Sequence, residues 1–376
     1  MRWPGGVRSA GVHAGIKPDG APDLGIIVTD EPVVWAGTFT RNAAAAACVE
    51  WCRAAGEEAR VIVVNSGNAN ACTGPVGVAT VDATVDATAH LLGCEREQVL
   101  VASTGPIGIQ LDPARLVAAV PAALQRLTPD PTPFARAIVT TDTRTKVASY
   151  SDGCTVVGVA KGAAMVAPGM ATMLGFVVTD AVVDRSTLVD MVRTAVDASF
   201  NRISIDACES TNDAVFVLST ARRRVAESTV AAGLSSVCRD LAQAIARDAE
   251  GATKLVRIYV TGARDDAHAA LLGRAVAASS LWRAALHGAD PNWGRVLAAL
   301  GSADRRLQIG ACRIALGPEV VFDGGAPAGS LDAAAKAMAG DEVSVHCAVG
   351  DGPGEAEVLT SDLSPAYVTL NAEGTS

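Results

Sequence analysis

The residue best placed to act as a nucleophile is Thr172. The small residue Ala171 precedes it, and an apolar run over residues 173–178 follows it. The hydroxyl of Thr172 can attack the preceding carbonyl, which Ala171 leaves sterically open, and so break the peptide bond. Thr172 would then carry a hydroxyl nucleophile together with a free α-amine to serve as its base. The alternative is a glycine-rich loop that enters a buried strand and does no chemistry.

Three polar segments elsewhere are candidates for loops that build a site. Residues 65–74 follow a short apolar run and are rich in Asn, Gly and Ser, which accept tight turns and offer amide hydrogen bonds. Residues 206–213 either support the nucleophile or form a capped turn before a strand. Residues 290–295 either border a pocket or simply begin a helix with Asp-Pro.

Charge and composition limit the class of partner. The formal net charge is −9, with 31 Lys and Arg against 40 Asp and Glu, and no basic run is present. Nucleic acid and anionic membranes are therefore not expected as partners. No stretch approaches the roughly 20 apolar residues that span a bilayer. We expect a cytoplasmic protein with a core of small aliphatic residues, because aromatic residues make up only 4% of the chain.

The cysteines and histidines do not predict a metal site. Nine cysteines and five histidines are dispersed, and no CxxC pair occurs. His346 and Cys347 are adjacent, but neighbours in a strand point to opposite faces of the sheet. We expect reduced cysteines that pack as small apolar side chains.

Helical and strand-like patterns alternate along the chain, which predicts an α/β fold with mixed sheets covered by helices. Asp112-Pro113 is a typical helix start, and either Asp184 or Ser186 is expected to cap a second helix. The pattern predicts helices over residues 76–92, 112–127 and 225–249, and strands over residues 25–28, 33–38 and 367–370.

Nine short motifs taken together resemble the ornithine acetyltransferase family, the glutamate N-acetyltransferases of arginine biosynthesis. They lie in the family's order along essentially the whole chain. The motifs are VNSGNAN at 64–70, ASTG at 102–105, TTDT at 140–143, AKG at 160–162, ATML at 171–174, STND at 210–213, EGATK at 250–254, DPNWGR at 290–295 and YVTLNA at 367–372.

The resemblance implies that the chain cleaves itself between Ala171 and Thr172. Residues 1–171 would form a light fragment and residues 172–376 a heavy fragment that begins with the nucleophile. It also implies an N-terminal-nucleophile type of α/β fold. Two light and two heavy fragments would assemble into a hetero-tetramer.

The resemblance also assigns site residues. Thr104 and Gly105 would form the oxyanion hole, where a hydroxyl and an amide stabilise the negative oxygen of the tetrahedral intermediate. The implied substrate contacts are Thr140, Lys161, Thr172, Glu250, Asn371 and Ser376. We expect Lys161 to bind a carboxylate and Glu250 an ammonium group.

The resulting hypothesis is a ping-pong transfer of acetyl from N-acetylornithine to glutamate through an acetyl-threonine, with no metal or organic cofactor. Acetyl-CoA remains open as a further donor. Two alternatives also remain open at this stage. One is a paralogue that moves acyl groups between other amino-acid-like amines, and the other is an N-terminal-nucleophile amidase in which water replaces the acceptor.

Overall fold

Residues 1–166 and 173–373 are described by this computed structural model. Within these ranges the strands form two mixed sheets, one of eight strands and one of six. This arrangement confirms the predicted α/β class. Ala171, Thr172 and Ser376 lie outside the described residues.

The first sheet contains β1 (Val7–Val12), β2 (Leu24–Phe39), β3 (Glu58–Ser66), β4 (Val99–Thr104), β5 (Lys146–Tyr150), β6 (Val156–Lys161), β7 (Leu174–Ala181) and β8 (Ala214–Arg223). Its order is β4-β3-β2-β8-β7-β6-β5, and β1 pairs with β2. The β3–β4 and β7–β8 pairs are parallel, and the others are antiparallel.

The second sheet contains β9 (Leu255–Ala263), β10 (Arg313–Leu316), β11 (Glu319–Asp323), β12 (Ala326–Pro327), β13 (Glu342–Ala348) and β14 (Gly354–Ser361). Its order is β12-β11-β10-β13-β9-β14. Only β13 and β9 pair in parallel among these described strands.

The helices are α1 (Ala47–Ala54), α2 (Gly74–Leu92), α3 (Pro113–Gln125), α4 (Thr132–Ile138), α5 (Arg185–Asp197), α6 (Glu227–Arg247), α7 (Asp266–Ala278), α8 (Ser280–His287), α9 (Trp293–Ala303), α10 (Leu331–Met338) and α11 (Pro365–Glu373). The predicted starts of α3 and α5 are confirmed. The Asp112 side chain accepts a hydrogen bond from the Ala114 N–H, and that of Asp184 accepts one from the Thr187 N–H.

Helices cover both faces of the central strands of the first sheet. On one face, alternate residues such as Val177 and Val215 pack against α5 and α6. On the other face, Phe176 and Phe216 stack and pack with Phe134 of α4. Helices α7 to α10 pack against the second sheet to form a separate apolar core. Among residues 1–166 and 173–373, no helix has both the length and the apolar character that a membrane crossing requires.

Four predicted elements differ from the structure. Residues 25–28 and 33–38 belong to one strand, β2, whose pairing with β3 shifts register between Val28 and Val33. Helix α6 ends at Arg247 rather than at residue 249. Residues 367–370, predicted as a strand, lie within helix α11.

Candidate active site

Two of the predicted site residues lie at the ends of strands of the first sheet. Thr104 is the last residue of β4 and Lys161 the last residue of β6. Both contribute to a cavity of about 280 Å³. All six predicted site residues that the structure describes line this cavity: Thr104, Gly105, Thr140, Lys161, Glu250 and Asn371. The predicted residues Ala171, Thr172 and Ser376 lie outside the described part of the chain.

A backbone contact explains why glycine follows Thr104. Gly105 has φ +139°, and a Cβ at this position would lie 2.4 Å from the backbone nitrogen of Asn68. That nitrogen donates to the Thr104 carbonyl oxygen at 3.0 Å. Only glycine fits this approach without strain, so the loop after β3 and the end of β4 form one tight cavity wall.

The Lys161 ammonium is buried in the cavity wall and contacts two hydroxyl groups. Its Nζ donates to Thr140 Oγ1 at 2.7 Å and to Thr104 Oγ1 at 3.2 Å. Only 3% of its side chain is exposed. Burial lowers the pKa of Lys161, although the Asp142 carboxylate opposes this effect.

A buried ion network lies behind Lys161. Asp142 Oδ1 accepts from Lys146 Nζ at 2.6 Å and from the Gly162 N–H at 2.7 Å, while Oδ2 lies 3.9 Å from Lys161 Nζ. Lys146 also donates to Asp248 at 2.5 Å. Burial alone would raise the pKa of Asp142, but Lys161 and Lys146 outweigh it and hold that pKa below its ordinary value.

Glu250 and Asn371 contact each other in the lining of the cavity. Asn371 Nδ2 donates to Glu250 Oε2 at 2.9 Å, and Glu250 Oε1 is buried with no hydrogen-bond partner among the described residues. Glu250 does not end a helix in solvent. It lies three residues beyond α6, and its N–H donates to the Ala163 carbonyl at 2.9 Å.

Helix α11 carries Tyr367 and Asn371 to the cavity. Ser364 precedes the helix; its hydroxyl accepts from the Tyr367 N–H at 3.2 Å and donates to the Gly251 carbonyl at 2.6 Å. Gly251 has φ +64°, and a Cβ there would lie 2.4 Å from the backbone nitrogen of Tyr367. The glycine after Glu250 thus permits the close docking of α11.

The polar segment 206–213 also lines the cavity, although the predicted site does not include it. Its cavity-lining members are Asp206, Cys208, Ser210, Thr211 and Asn212. Asn212 Nδ2 donates to the Ala69 carbonyl at 2.6 Å and to the Ser103 carbonyl at 2.9 Å, which ties β4 to the loop after β3. The sequence signal for this segment is the density of polar residues before β8. That signal fits a capped turn as well as it fits a functional role.

Two carboxyl groups accept hydrogen bonds from backbone amides of residues 165, 166 and 173. Asp206 accepts from the Met165 N–H at 2.5 Å and from the Val166 N–H at 3.0 Å, and Asp213 accepts from the Met173 N–H at 3.0 Å. Burial raises the pKa of both carboxyl groups, that of Asp213 well above its ordinary value.

Other polar candidates lie away from this cavity. Residues 290–294 line a separate depression beside α10. His287 Nδ1 lies 2.7 Å from Asp362 Oδ2, which also binds Thr253. In the described ranges, no group of three or more His, Cys, Asp and Glu side chains is arranged to hold a metal ion.

The fold and the site define an α/β enzyme with a small cavity that several polar and charged side chains line. Its lining includes two hydroxyl groups in contact with an ammonium group, and a carboxylate with one oxygen that has no partner among the described residues. Comparison with known proteins gives the family. The ArgJ family model matches residues 8–376, and this chain belongs to that family.

Relatives match the chain over nearly its whole length. A protein of Thermus thermophilus named arginine biosynthesis bifunctional protein ArgJ is 41% identical over 99% of this chain and 98% of its own length. A protein of Deinococcus radiodurans with the same name is 40% identical over 100% of this chain and 98% of its own length. The crystal structure of the Bacillus halodurans protein of that name is 33% identical, with a TM-score of 0.50, over 53% of this chain and 98% of the solved chain.

Proposed function

We propose that this chain is an N-acetyltransferase of arginine biosynthesis that moves the acetyl group of N-acetylornithine to glutamate. Its membership of the ArgJ family supports acetyl transfer in that pathway. The observation that carries the substrate class is the polarity of the cavity. Lys161 contacts Thr104 and Thr140 in its wall, and Glu250, whose Oε1 has no hydrogen-bond partner among the described residues, lines the same cavity.

This polarity suits an acetylated diamino acid. Glu250 would bind the side-chain ammonium of N-acetylornithine, because a buried carboxylate gains most from an opposite charge. Thr140 would face the α-carboxylate end. Asn371, which binds Glu250, and Ser376 would complete the contacts from the end of the chain.

The chemical step begins at Thr172. Its α-amine takes the hydroxyl proton, its oxygen bonds to the acetyl carbon, and the negative charge moves to the acetyl oxygen. Thr104 and Gly105 would stabilise that oxygen, each by about 3 kcal/mol in the transition state. The C–N bond then breaks, and ornithine leaves with the proton. The glutamate α-amine attacks the resulting ester and regenerates the hydroxyl.

A free α-amine at Thr172 requires cleavage after Ala171. Residues 1–171 and 172–376 then form the light and heavy fragments. The solved Bacillus halodurans chain supports a division near the middle, because it matches 53% of this chain but 98% of itself. We further propose a hetero-tetramer of two light and two heavy fragments in the cytoplasm. The word bifunctional in the relatives' names makes acetyl-CoA the second donor to examine.

Intact-mass spectrometry tests this proposal. The purified protein is incubated with N-acetylornithine without an acceptor, and in parallel with acetyl-CoA. We expect two fragments and one added acetyl group on the fragment that begins at Thr172. The Thr172→Ala variant should give one uncut chain and no transfer. Clean fragments without an adduct, or acetyl loss that does not depend on glutamate, would point instead to another donor or to hydrolysis.

A further inference from the structure

The contacts of Lys161 determine where two neighbouring hydroxyl protons can go. An ammonium group donates hydrogen bonds and accepts none. Thr104 Oγ1 and Thr140 Oγ1 must therefore act as acceptors in their contacts with Lys161 Nζ, at 3.2 Å and 2.7 Å. Each hydroxyl keeps its own proton for another acceptor, and both side chains line the cavity.

The backbone beside the Lys161–Thr140 contact is bound to one carboxylate. Lys161 ends strand β6, and the adjacent Gly162 N–H donates to Asp142 at 2.7 Å. Asp142 also accepts from the Thr140 N–H at 3.2 Å. One buried carboxylate thus orders the backbone on both sides of the Lys161–Thr140 contact, and Lys146 balances its charge at 2.6 Å.

We propose that Lys161 is a positioning residue that acts on the reaction through Thr104. Its ammonium directs the Thr104 hydroxyl proton into the cavity, toward the acyl oxygen, and polarises that hydroxyl. This inference rests on the acyl transfer proposed above, and it differs from the expectation that Lys161 serves to bind the substrate carboxylate. A charge-assisted contact strengthens the donor that it polarises.

Action through Thr104 and binding of the substrate carboxylate can be distinguished by changing the acyl donor. N-acetylornithine carries an α-carboxylate, whereas 4-nitrophenyl acetate carries the same acetyl group and no carboxylate. Acylation rates are measured per cleaved enzyme with both donors for the wild type and for Lys161→Met. Lys336→Met in α10 is the matched control, because Lys336 is exposed and remote from the cavity lining. Melting temperatures check the fold of each variant.

If Lys161 acts through Thr104, Lys161→Met slows acylation by both donors to a similar extent, about tenfold to a hundredfold. The loss appears in kcat as well as in kcat/KM. Thr104→Ser should retain most of the rate, and Thr104→Val should lose it. In the Thr104→Val background, Lys161→Met should cost less than about threefold more, because the hydroxyl through which it acts is gone.

A loss confined to N-acetylornithine and seen only in KM would overturn the inference and assign Lys161 to the carboxylate. Independent, multiplying losses in the double variant would overturn it as well. If Lys161→Met does not accumulate as a folded, cleaved enzyme, Lys161→Gln provides the same comparison. A wild type that is acetylated by the ester but transfers nothing between ornithine and glutamate would refute the proposed function and still test this inference. A wild type acetylated by neither donor would refute both.

Discussion

At the scale of single residues, Glu250 offers the sharpest test of substrate choice. Its Oε1 is buried without a described partner, while Oε2 is held by Asn371. A buried polar atom without a partner is costly unless a ligand satisfies it. We therefore propose that this oxygen binds the side-chain ammonium of the substrate.

We predict that Glu250→Gln raises the KM for N-acetylornithine about tenfold and leaves kcat within about threefold. The glutamine keeps the shape and the Asn371 contact but removes the charge. The variant should also lose its preference for N-acetylornithine over N-acetylnorvaline, which lacks the side-chain ammonium. Glu227→Gln, at the exposed start of α6, is the control. A preference that survives in Glu250→Gln would show that another group binds the ammonium.

Asp142 shows the cost of one buried charge. It is fully buried between Lys146 and Lys161, whose side chains are also almost completely buried. We predict that Asp142→Asn lowers the free energy of unfolding by about 3–5 kcal/mol, because two buried cations lose their shared partner. Urea unfolding at pH 7 measures this change. Asp190→Asn, at an exposed ion pair on α5, should change stability by less than about 1 kcal/mol.

The same carboxyl predicts a pH dependence. The lysines hold the pKa of Asp142 in the folded state below its ordinary value of 3.8. Its contribution to stability is therefore fully present above that ordinary value and is lost as the pH falls toward the lower folded pKa. Asp142→Asn should lack this acid-side decline. If the free energy of unfolding of the wild type and of the variant falls equally as the pH falls through this range, Asp142 does not cause the acid-side loss of stability.

At the scale of elements, the close docking of α11 depends on Gly251. We predict that Gly251→Ala displaces this helix, because the added Cβ would lie 2.4 Å from the Tyr367 nitrogen and the backbone has φ +64°. The KM should rise severalfold as Asn371 leaves Glu250. The structural readout is increased amide exchange confined to residues 365–373. Gly301→Ala in α9, where a Cβ meets nothing within 4 Å, should not raise KM. Unchanged α11 exchange in Gly251→Ala would contradict the prediction.

Helix α11 also shows why sequence patterns miss part of the site. Residues 367–370 contain two β-branched residues and Tyr, a composition that favours a strand. The adjacent Ser364-Pro365 pair is a helix start, and the Ser364 hydroxyl does accept from the Tyr367 N–H. This helix start can therefore be recognised in the sequence. The docking on Gly251, which decides the position of Asn371, depends on residues more than 100 positions apart.

The same limit applies to Asp142, Asp206 and Asn212. Their neighbours in sequence are ordinary turn residues, and what distinguishes them is hydrogen bonding to distant segments. The order of motifs, by contrast, is sufficient to select from the sequence six of the described residues that line the cavity. It is not sufficient to distinguish a residue that touches substrate from one that acts through another, as Lys161 illustrates.

At the scale of the whole molecule, the two proposed fragments share one sheet. Strands β7 and β8 belong to residues 172–376 and lie between β2 and β6, which belong to residues 1–171. Two strand pairs therefore join the fragments within this sheet. In the β2–β8 pair, residues Val34 to Phe39 pair with β8, and in the β6–β7 pair, all of β6 pairs with β7. The ring of Phe134 packs edge-on against Phe176 across the same division, with centroids 5.1 Å apart.

We predict that the cleaved fragments elute together in gel filtration, both at low salt and at about 1 M NaCl, because backbone pairing and apolar packing rather than surface charge hold them. They should separate only in denaturant. Urea unfolding should give one transition, with coincident curves from circular dichroism and from tryptophan fluorescence, since Trp35 and Trp282 lie in different fragments.

The uncut Thr172→Ala chain is the control for this prediction. The free energy of unfolding of the uncut chain should fall with urea concentration at a similar slope. Only the cleaved pair should refold at a rate that depends on protein concentration, because its two chains must associate again. Fragments that part in native buffer would mean that the shared sheet does not survive cleavage. The cavity would not survive either, because Thr104 and Lys161 come from one fragment and Glu250 and Asn371 from the other.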